Sequence, residues 1–444
     1  MNDFSILNRQ KLRADFLATL LFVQIIVWIW VFIDGAYSEK NFDFFGKLSL
    51  RVRDGTWFSN ETNYRTVPLW GQHYFGDLQI FFGFVGDPNP YFGELKPQIP
   101  PFGLSFYSLL DFRGPQVGMI IWLSFTFLFS VLITHLWLKS ETLSNRLTAY
   151  CALVLINTSV LVGLDRGSIL LILMTIVGLL LFKILNSRRL TGFDALLFAS
   201  AISLKPYLLL LFIFFIFERK YKFVFHTALA GLVCNLIATL SFGWSPLTIF
   251  QRLINEQARY NGSAYSGFSL RNSSSAFRVL SDAVSFYKGP EYASTLFEGS
   301  GLWVAIPGIV YLSLVTTICW RRDIPIWIRM VSILSTVQMV VAATPRYSLA
   351  WSFIGGLLIL QQPTGLSEKD KNEPRISRRE LVVAIGCGLG FVVGGLPISL
   401  GKNLSPLVWT IVVCLIIVIY VIPKRLHVYQ DLSVSGASAE IKFD

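Results

Sequence analysis

AISLKPYLLLLFIFFIFERKYK, residues Ala201 to Lys222, ends a strongly apolar run in a basic cluster and is interrupted once, at Lys205 and Pro206. The run opens near Leu190, just after NSRR (Asn186 to Arg189), so cations bound it on both sides. A single crossing would put one cluster on the far face, against the bias that keeps Lys and Arg in cytoplasmic connections. Proline lacks the N–H that a helix interior uses and pushes the preceding residue toward extended backbone. Leu190 to Phe217 is therefore expected to form two short helices that meet at Lys205 near the outer leaflet and return both basic ends to the cytoplasm.

The rest of the chain has the same character. Of 444 residues, 53% are hydrophobic and 15% charged, and the mean hydropathy is +0.57; soluble domains carry roughly 25% charged residues. Apolar stretches of about 20 residues, long enough to cross the hydrocarbon layer as helix, recur from Asp15 to Ile422. The chain reads as an all-α polytopic membrane protein of about 10 to 13 transmembrane helices. A formal charge of +11 would suit nucleic acid only as one patch, and here the cations punctuate the apolar segments, so they report topology. NRQKLR (Asn8 to Arg13), RRD (Arg321 to Asp323), RISRR (Arg375 to Arg379) and PKR (Pro423 to Arg425) join the two clusters above on the cytoplasmic side.

The expected spans after the first, Phe16 to Ile33, are Val117–Leu138, Leu147–Leu164, Ser168–Leu185, the broken pair at Lys205, Phe223–Phe242, Leu302–Trp320, Ile324–Ala343, Leu349–Leu360, Leu381–Leu400 and Leu407–Ile422. Both termini fall in the cytoplasm. Two long outer loops remain, about 34–115, rich in aromatics, Gly and Pro, and 243–301, rich in Ser and Asn. Residues 1–361 form the main module, 362–380 a charged cytoplasmic linker, and 381–444 a C-terminal helical pair with a tail. The five cysteines and four histidines show neither a disulfide framework nor metal-ligand spacing, so no metal or cofactor is expected.

With that topology drawn, a few charges lie in short outer connections where cations are disfavoured: Arg166 in LDRGS, beside Asp165, Lys205 in KPY, and Arg346 in ATPRYSLAW. A cation near hydrocarbon persists when it pairs with an anion or lines a wet cavity. Read one by one, they pair with a neighbouring acid or snorkel to headgroups. Three on one face favour a phosphate, which Arg and Lys hold with charge-assisted bonds. A phosphate on the outer leaflet, in a chain without a nucleotide loop, suggests a polyprenyl-phosphate lipid. A sugar on that carrier has a good leaving group, and what its transfer needs is a base for the acceptor hydroxyl. Asp77, the one acid in HYFGDLQIFFGF, is the first choice; Asp34, directly after the first span, and Asp43 in NFDFFG are the alternatives. Tyr91 is a candidate for stacking on a sugar, and Arg271 and Arg278 of the second loop for substrate contact. Asp87 in GDPNPY reads as a turn residue, and QIPPF as fixing loop geometry.

GDLQIFFGFVGDPNPYFGELKPQIPPFGLSFYSLL (Gly76 to Leu110) resembles the first outer loop of glycosyltransferase family 87, polyprenyl-phosphate-mannose-dependent mannosyltransferases with the C-class (GT-C) fold. Asp77, Phe81, Phe82, Pro90, Tyr91, Pro100, Pro101 and Phe102 stand in its order of Asp, aromatic pair, xPY and YPP. LDRGSILL is similar to its Gly-Gln-Asn helix opening with Gly167 kept, AISLKPYLLLLFIFFIFERKYK to its Lys-Pro helix, and SGFSLRNSSSAFR to its Asn-Gln-Ser region with a different spacing. ATPRYSLAW stands where a Pro-Ser-Trp-His motif often falls, without the histidine, so mannose comes from the family alone.

The resemblance implies an inverting transfer in which Asp77 is the general base; the charge pattern adds that Lys205, Arg346 and Arg166 hold the donor phosphate. The expected enzyme is a cell inner-membrane hexosyltransferase with its site facing the periplasm or exterior. It would act on a polyprenyl-phosphate-linked sugar and a glycolipid or lipid-linked saccharide acceptor. A polysaccharide polymerase or ligase would centre instead on Arg271 and Arg278, and a lipid or saccharide transporter on midplane charges in two related halves.

Overall fold

The computed structural model describes most of residues 76–155, 168–264, 276–340 and 378–422, with isolated positions between 18 and 29 and at 157, 160, 163, 354 and 357. Every regular element among the described residues is helical. α1 (Gly76–Gly86), α2 (Pro101–Leu110), α3 (Pro115–Trp137), α4 (Leu143–Tyr150), α5 (Leu170–Leu185) and α6 (Gly192–Leu204) come first. A 3₁₀ turn, Pro206–Leu210, leads into α7 (Leu211–Phe217), followed by α8 (Tyr221–Ser241). α9 (Pro246–Ala264), α10 (Ala276–Lys288), α11 (Pro290–Phe297), α12 (Gly301–Trp320), α13 (Ile326–Met339), α14 (Arg378–Gly394) and α15 (Ile398–Ile416) complete the set.

The break expected at Lys205 is present. Lys205 sits at φ −143°, ψ 92°, the extended backbone that a following proline imposes, and its carbonyl accepts from Leu208 N at 3.0 Å. The chain turns there and α7 folds back on α6. Phe198 of α6 meets Phe212 and Phe215 with ring centroids 5.9 and 5.4 Å apart, and Phe223 at the start of α8 at 5.9 Å. Such ring pairs each contribute about 0.5–1.5 kcal/mol beyond the area they bury. α8 then runs parallel to α6: Gly231 faces Ala199, and Asn235 reaches Ser203.

Polar contacts fasten the hairpin at the end away from Lys205. Thr191 and Asp194 form a reciprocal capping box at the start of α6, satisfying N–H groups that a helix start leaves open. Lys183, in the last turn of α5, donates to Asp194 Oδ1 at 2.6 Å. At the end of α7, Glu218 pairs with the buried Arg329 of α13, and Arg322 donates to the Phe217 carbonyl at 3.2 Å. Glu218 and Arg322 belong to two of the basic clusters, and Lys183 and Asp194 flank a third.

The remaining helices pack through glycine. A Cβ on Gly178 of α5 would sit 3.1 Å from Ile133 of α3, and Trp137 donates to the Gly178 carbonyl at 3.2 Å. Gly308 of α12 approaches the Val340 carbonyl, and Tyr311 shares a 2.6 Å hydrogen bond with Ser335 of α13. Gly386 and Gly390 let α14 lie against Val412 and Trp409 of α15.

Several boundaries differ from the expectation. Among the described residues, the segment expected as the second long loop holds three helices, α9 to α11, two of which open on a proline at their first position, where the missing N–H costs nothing. The segment expected as the first holds α1 and α2. The helix of the last expected span, α15, starts at Ile398 and passes through Pro406, while its apolar part, Ser405–Val421, keeps close to the expected Leu407–Ile422. After Tyr150 the helix widens into a π-helical turn, Cys151–Leu155. Among the described residues two helices are long and apolar enough to cross a membrane, Val117–Trp137 within α3, and α8.

Glu218→Gln is expected to leave Arg329 with an uncompensated charge and to cost about 3–5 kcal/mol, the usual price of splitting a buried pair. The readout is a lower unfolding temperature in detergent. Adding Arg329→Met should recover part of the loss, and a single variant as stable as wild type would show the pair to be dispensable.

Candidate functional site at the Lys205 corner

The corner is built around the first turn of α2. Pro100 and Pro101 start this helix, with Pro101 at its first position, so the next open donor is the Phe102 N–H. That N–H donates to Asn235 Oδ1 at 3.1 Å, while Asn235 Nδ2 donates to Ser203 Oγ at 3.0 Å and to the Gly231 carbonyl at 2.7 Å. One amide thus joins the start of α2, the last turn of α6 and α8. Gly103 brings α2 onto the backbone just before Lys205, where an added Cβ would lie 2.4 Å from the Ser203 carbonyl oxygen. Lys205 is half-buried beside this contact.

Aromatic residues and one arginine extend the corner. The Tyr91 hydroxyl donates to the Ile99 carbonyl at 2.7 Å, and its buried ring meets Trp244 edge-on at 5.2 Å. Trp244 stacks on Phe242 with centroids 4.6 Å apart. Arg252 of α9 donates to the Tyr91 carbonyl at 3.3 Å and lies over the Phe92 ring at 4.0 Å, a cation–π geometry. The turn carrying Tyr91 is closed by Asp87, whose Oδ1 accepts from Asn89 N at 2.8 Å, in keeping with its reading as a turn residue.

α1 leans on the other half of α2. Phe81 stacks on Tyr107 with centroids 4.3 Å apart, and Phe82 approaches Gly118 of α3 beside the Leu110 carbonyl. Asp77 occupies the first turn of α1, one turn before Phe81. Lys205 and Asp77 therefore stand on segments that both pack against α2, one at each half. Just past α2, Asp111 has a carboxyl oxygen closed off from solvent with no hydrogen-bond donor among the described residues. Burial pushes its carboxyl above the ordinary carboxylate range.

Asp34, Asp43, Asp165, Arg166, Arg271 and Arg346 lie outside the described residues. Arg278 falls in the first turn of α10. Asn235 and Arg252 belong to the corner and Asp111 to the far end of α2; none of the three was in the sequence reading. The cue for Asn235 was visible, a lone amide within the apolar LAGLVCNLIATL of α8. Among the described residues no three His, Cys, Asp or Glu gather as metal ligands.

A helical chain with membrane-length apolar helices, in which the segment before α3 folds onto a Lys-Pro break, is the class this geometry defines. The model of glycosyltransferase family 87 matches residues 99–345, more than half of the 444, and the chain belongs to that family; it is a glycosyltransferase. The match takes in α2, the Lys205 corner and α9 through α13, and begins downstream of Asp77. Neither the curated proteins nor the solved structures gave a match.

Gly103→Val should force α2 off the Ser203 backbone and destabilise by about 1–3 kcal/mol, as overpacking does. Gly83→Ala, with open space around it, should leave the unfolding temperature unchanged or slightly raised. For Asp111 the fold favours the protonated carboxyl, so the destabilisation is absent below the unfolded pKa of about 4 and complete above the folded one. Asp111→Asn is expected to unfold at a higher temperature than wild type near pH 8 and at the same temperature near pH 4. A lower value at pH 8 would contradict this.

Proposed function

We infer that this glycosyltransferase is a multi-pass enzyme of the cell inner membrane that moves a hexose, mannose by family default, from a polyprenyl-phosphate carrier. The acceptor is an outer-leaflet glycolipid or lipid-linked saccharide, and the anomeric centre inverts. The observation that carries the reading is the Lys205 corner. A half-buried lysine at a proline-enforced turn is held against the first outer connection by Asn235, at the end of the hairpin remote from the ion-paired basic clusters.

In a single displacement the acceptor hydroxyl oxygen attacks the anomeric carbon as the bond from that carbon to the phosphate oxygen breaks. The electron pair leaves with the polyprenyl phosphate. Lys205, with Arg346 and Arg166, binds that phosphate and offsets the charge that grows on it. Asp77 takes the proton from the hydroxyl. Asp34 and Asp43 are the alternative bases. Both termini lie in the cytoplasm and the site faces the periplasm or exterior.

Purified protein in nanodiscs, given a panel of polyprenyl-phosphate sugars and glycolipid acceptors without nucleotide sugar, should transfer one of the sugars. Asp77→Asn should fold and lose about 10²- to 10⁴-fold in rate, the usual effect of removing a general base. Lys205→Ala should chiefly weaken donor binding. Wild-type turnover in Asp77→Asn together with loss in Asp34→Asn would move the base to Asp34. Absence of transfer with every lipid-phosphate donor would overturn the donor class.

A further inference from the structure

α9 carries an apolar stripe on the side away from the protein. Leu247, Phe250 and Ile254 recur at i, i+3 and i+7, so they share one face, and they are 80%, 64% and 53% exposed. The opposite face is the docked one: Ile249 and Glu256 are buried, and Arg252 holds Tyr91. Three large apolar side chains in line, opposite a helix's own core contact, form a surface that needs a cover.

The position of α9 in the chain says what that cover is. α9 follows α8 after a short turn in which Gly243 takes φ +72°. α8 is long and apolar enough to cross a membrane and exposes Leu232, Leu236, Ile237 and Leu240 along its length. From there the exposed apolar surface continues through Phe242 to Leu247 and Phe250, with no charged residue before Arg252. At a later corner of the same connection Phe286 and Tyr287 are 85% and 81% exposed, the kind of aromatics that settle at headgroup depth.

We propose that α9 lies in the plane of the outer leaflet, with Leu247, Phe250 and Ile254 immersed among phospholipid acyl chains and its Arg252 face clamped to the first outer connection. The helix is an interfacial anchor of the in-plane amphipathic kind. Because Arg252 grips Tyr91 and Phe92, the anchor holds that connection at headgroup depth, the level at which a lipid-linked substrate presents its phosphate. The inference rests on the reading that α8 crosses the membrane.

The test is a diazirine amino acid placed by amber suppression at Phe250 and, separately, at Leu247 of the full chain, in nanodiscs of phosphatidylethanolamine and phosphatidylglycerol. Irradiation should give phospholipid adducts at both positions, severalfold more than at Thr248, which lies off the stripe, and comparable to Leu236 on α8. Adducts at Leu236 with only water-quenched product at Phe250 and Leu247 would overturn the anchor and leave the membrane reading of α8 standing. Adducts to a second copy of the chain at those positions would also overturn it. No lipid adduct at Leu236 would remove the crossing of α8 and the anchor with it.

Discussion

The backbone break at Lys205 is the constraint on which the rest depends. Pro206 has no N–H to donate and its ring forces Lys205 into extended backbone, so an apolar run that composition alone would pass as one span becomes a hairpin. Once α7 folds back, its end meets α13, and Glu218 finds Arg329. The start of α6 is likewise tied to α5 through Lys183 and Asp194. The opposite end, freed of those ties, presents Ser203 and Lys205 to α2. A continuous helix through residues 201–217 would send Glu218 away from Arg329.

The polar contacts at the two ends differ in kind. At the basic end they are full ion pairs, which hold position because separating them strands a charge. At the Lys205 end the join is made by one neutral amide, Asn235, with three hydrogen bonds to α2, α6 and its own helix. Each such bond contributes about 0.5–1.5 kcal/mol net, enough to fix the register of α2. The family match spans residues 99–345 and so takes in Gly103, Lys205 and Asn235.

The hairpin was legible because its signals are local: a proline, two cation clusters and an apolar run between them. The capping box at Thr191 and Asp194 and the turn at Asp87 are also short-range. The helices of the second outer connection were harder to read, because α9 mixes exposed Leu247 and Phe250 with Gln251 and Asn255, and the polar residues dominate its average. The first-position prolines Pro246 and Pro290 were the available cues. α15 passes through Pro406. The corner itself was only half legible. Lys205 stood out as a cation in a short outer turn, whereas Asn235 acts on a residue 133 positions away and Arg252 on one 161 away, separations that no local spacing encodes. The carboxylate of Asp111 gave no pattern at all; only packing closes it off.

The claim at the centre is that the donor phosphate is held at the Lys205 end of the hairpin, against α2. A cryo-electron microscopy structure of the protein in nanodiscs with polyprenyl phosphate bound tests this directly. The account expects phosphate density within hydrogen-bond reach of Lys205 Nζ, on the α2 side of the turn. Density seated instead at the Glu218 and Arg329 end, or no protein cation near the phosphate, would contradict it.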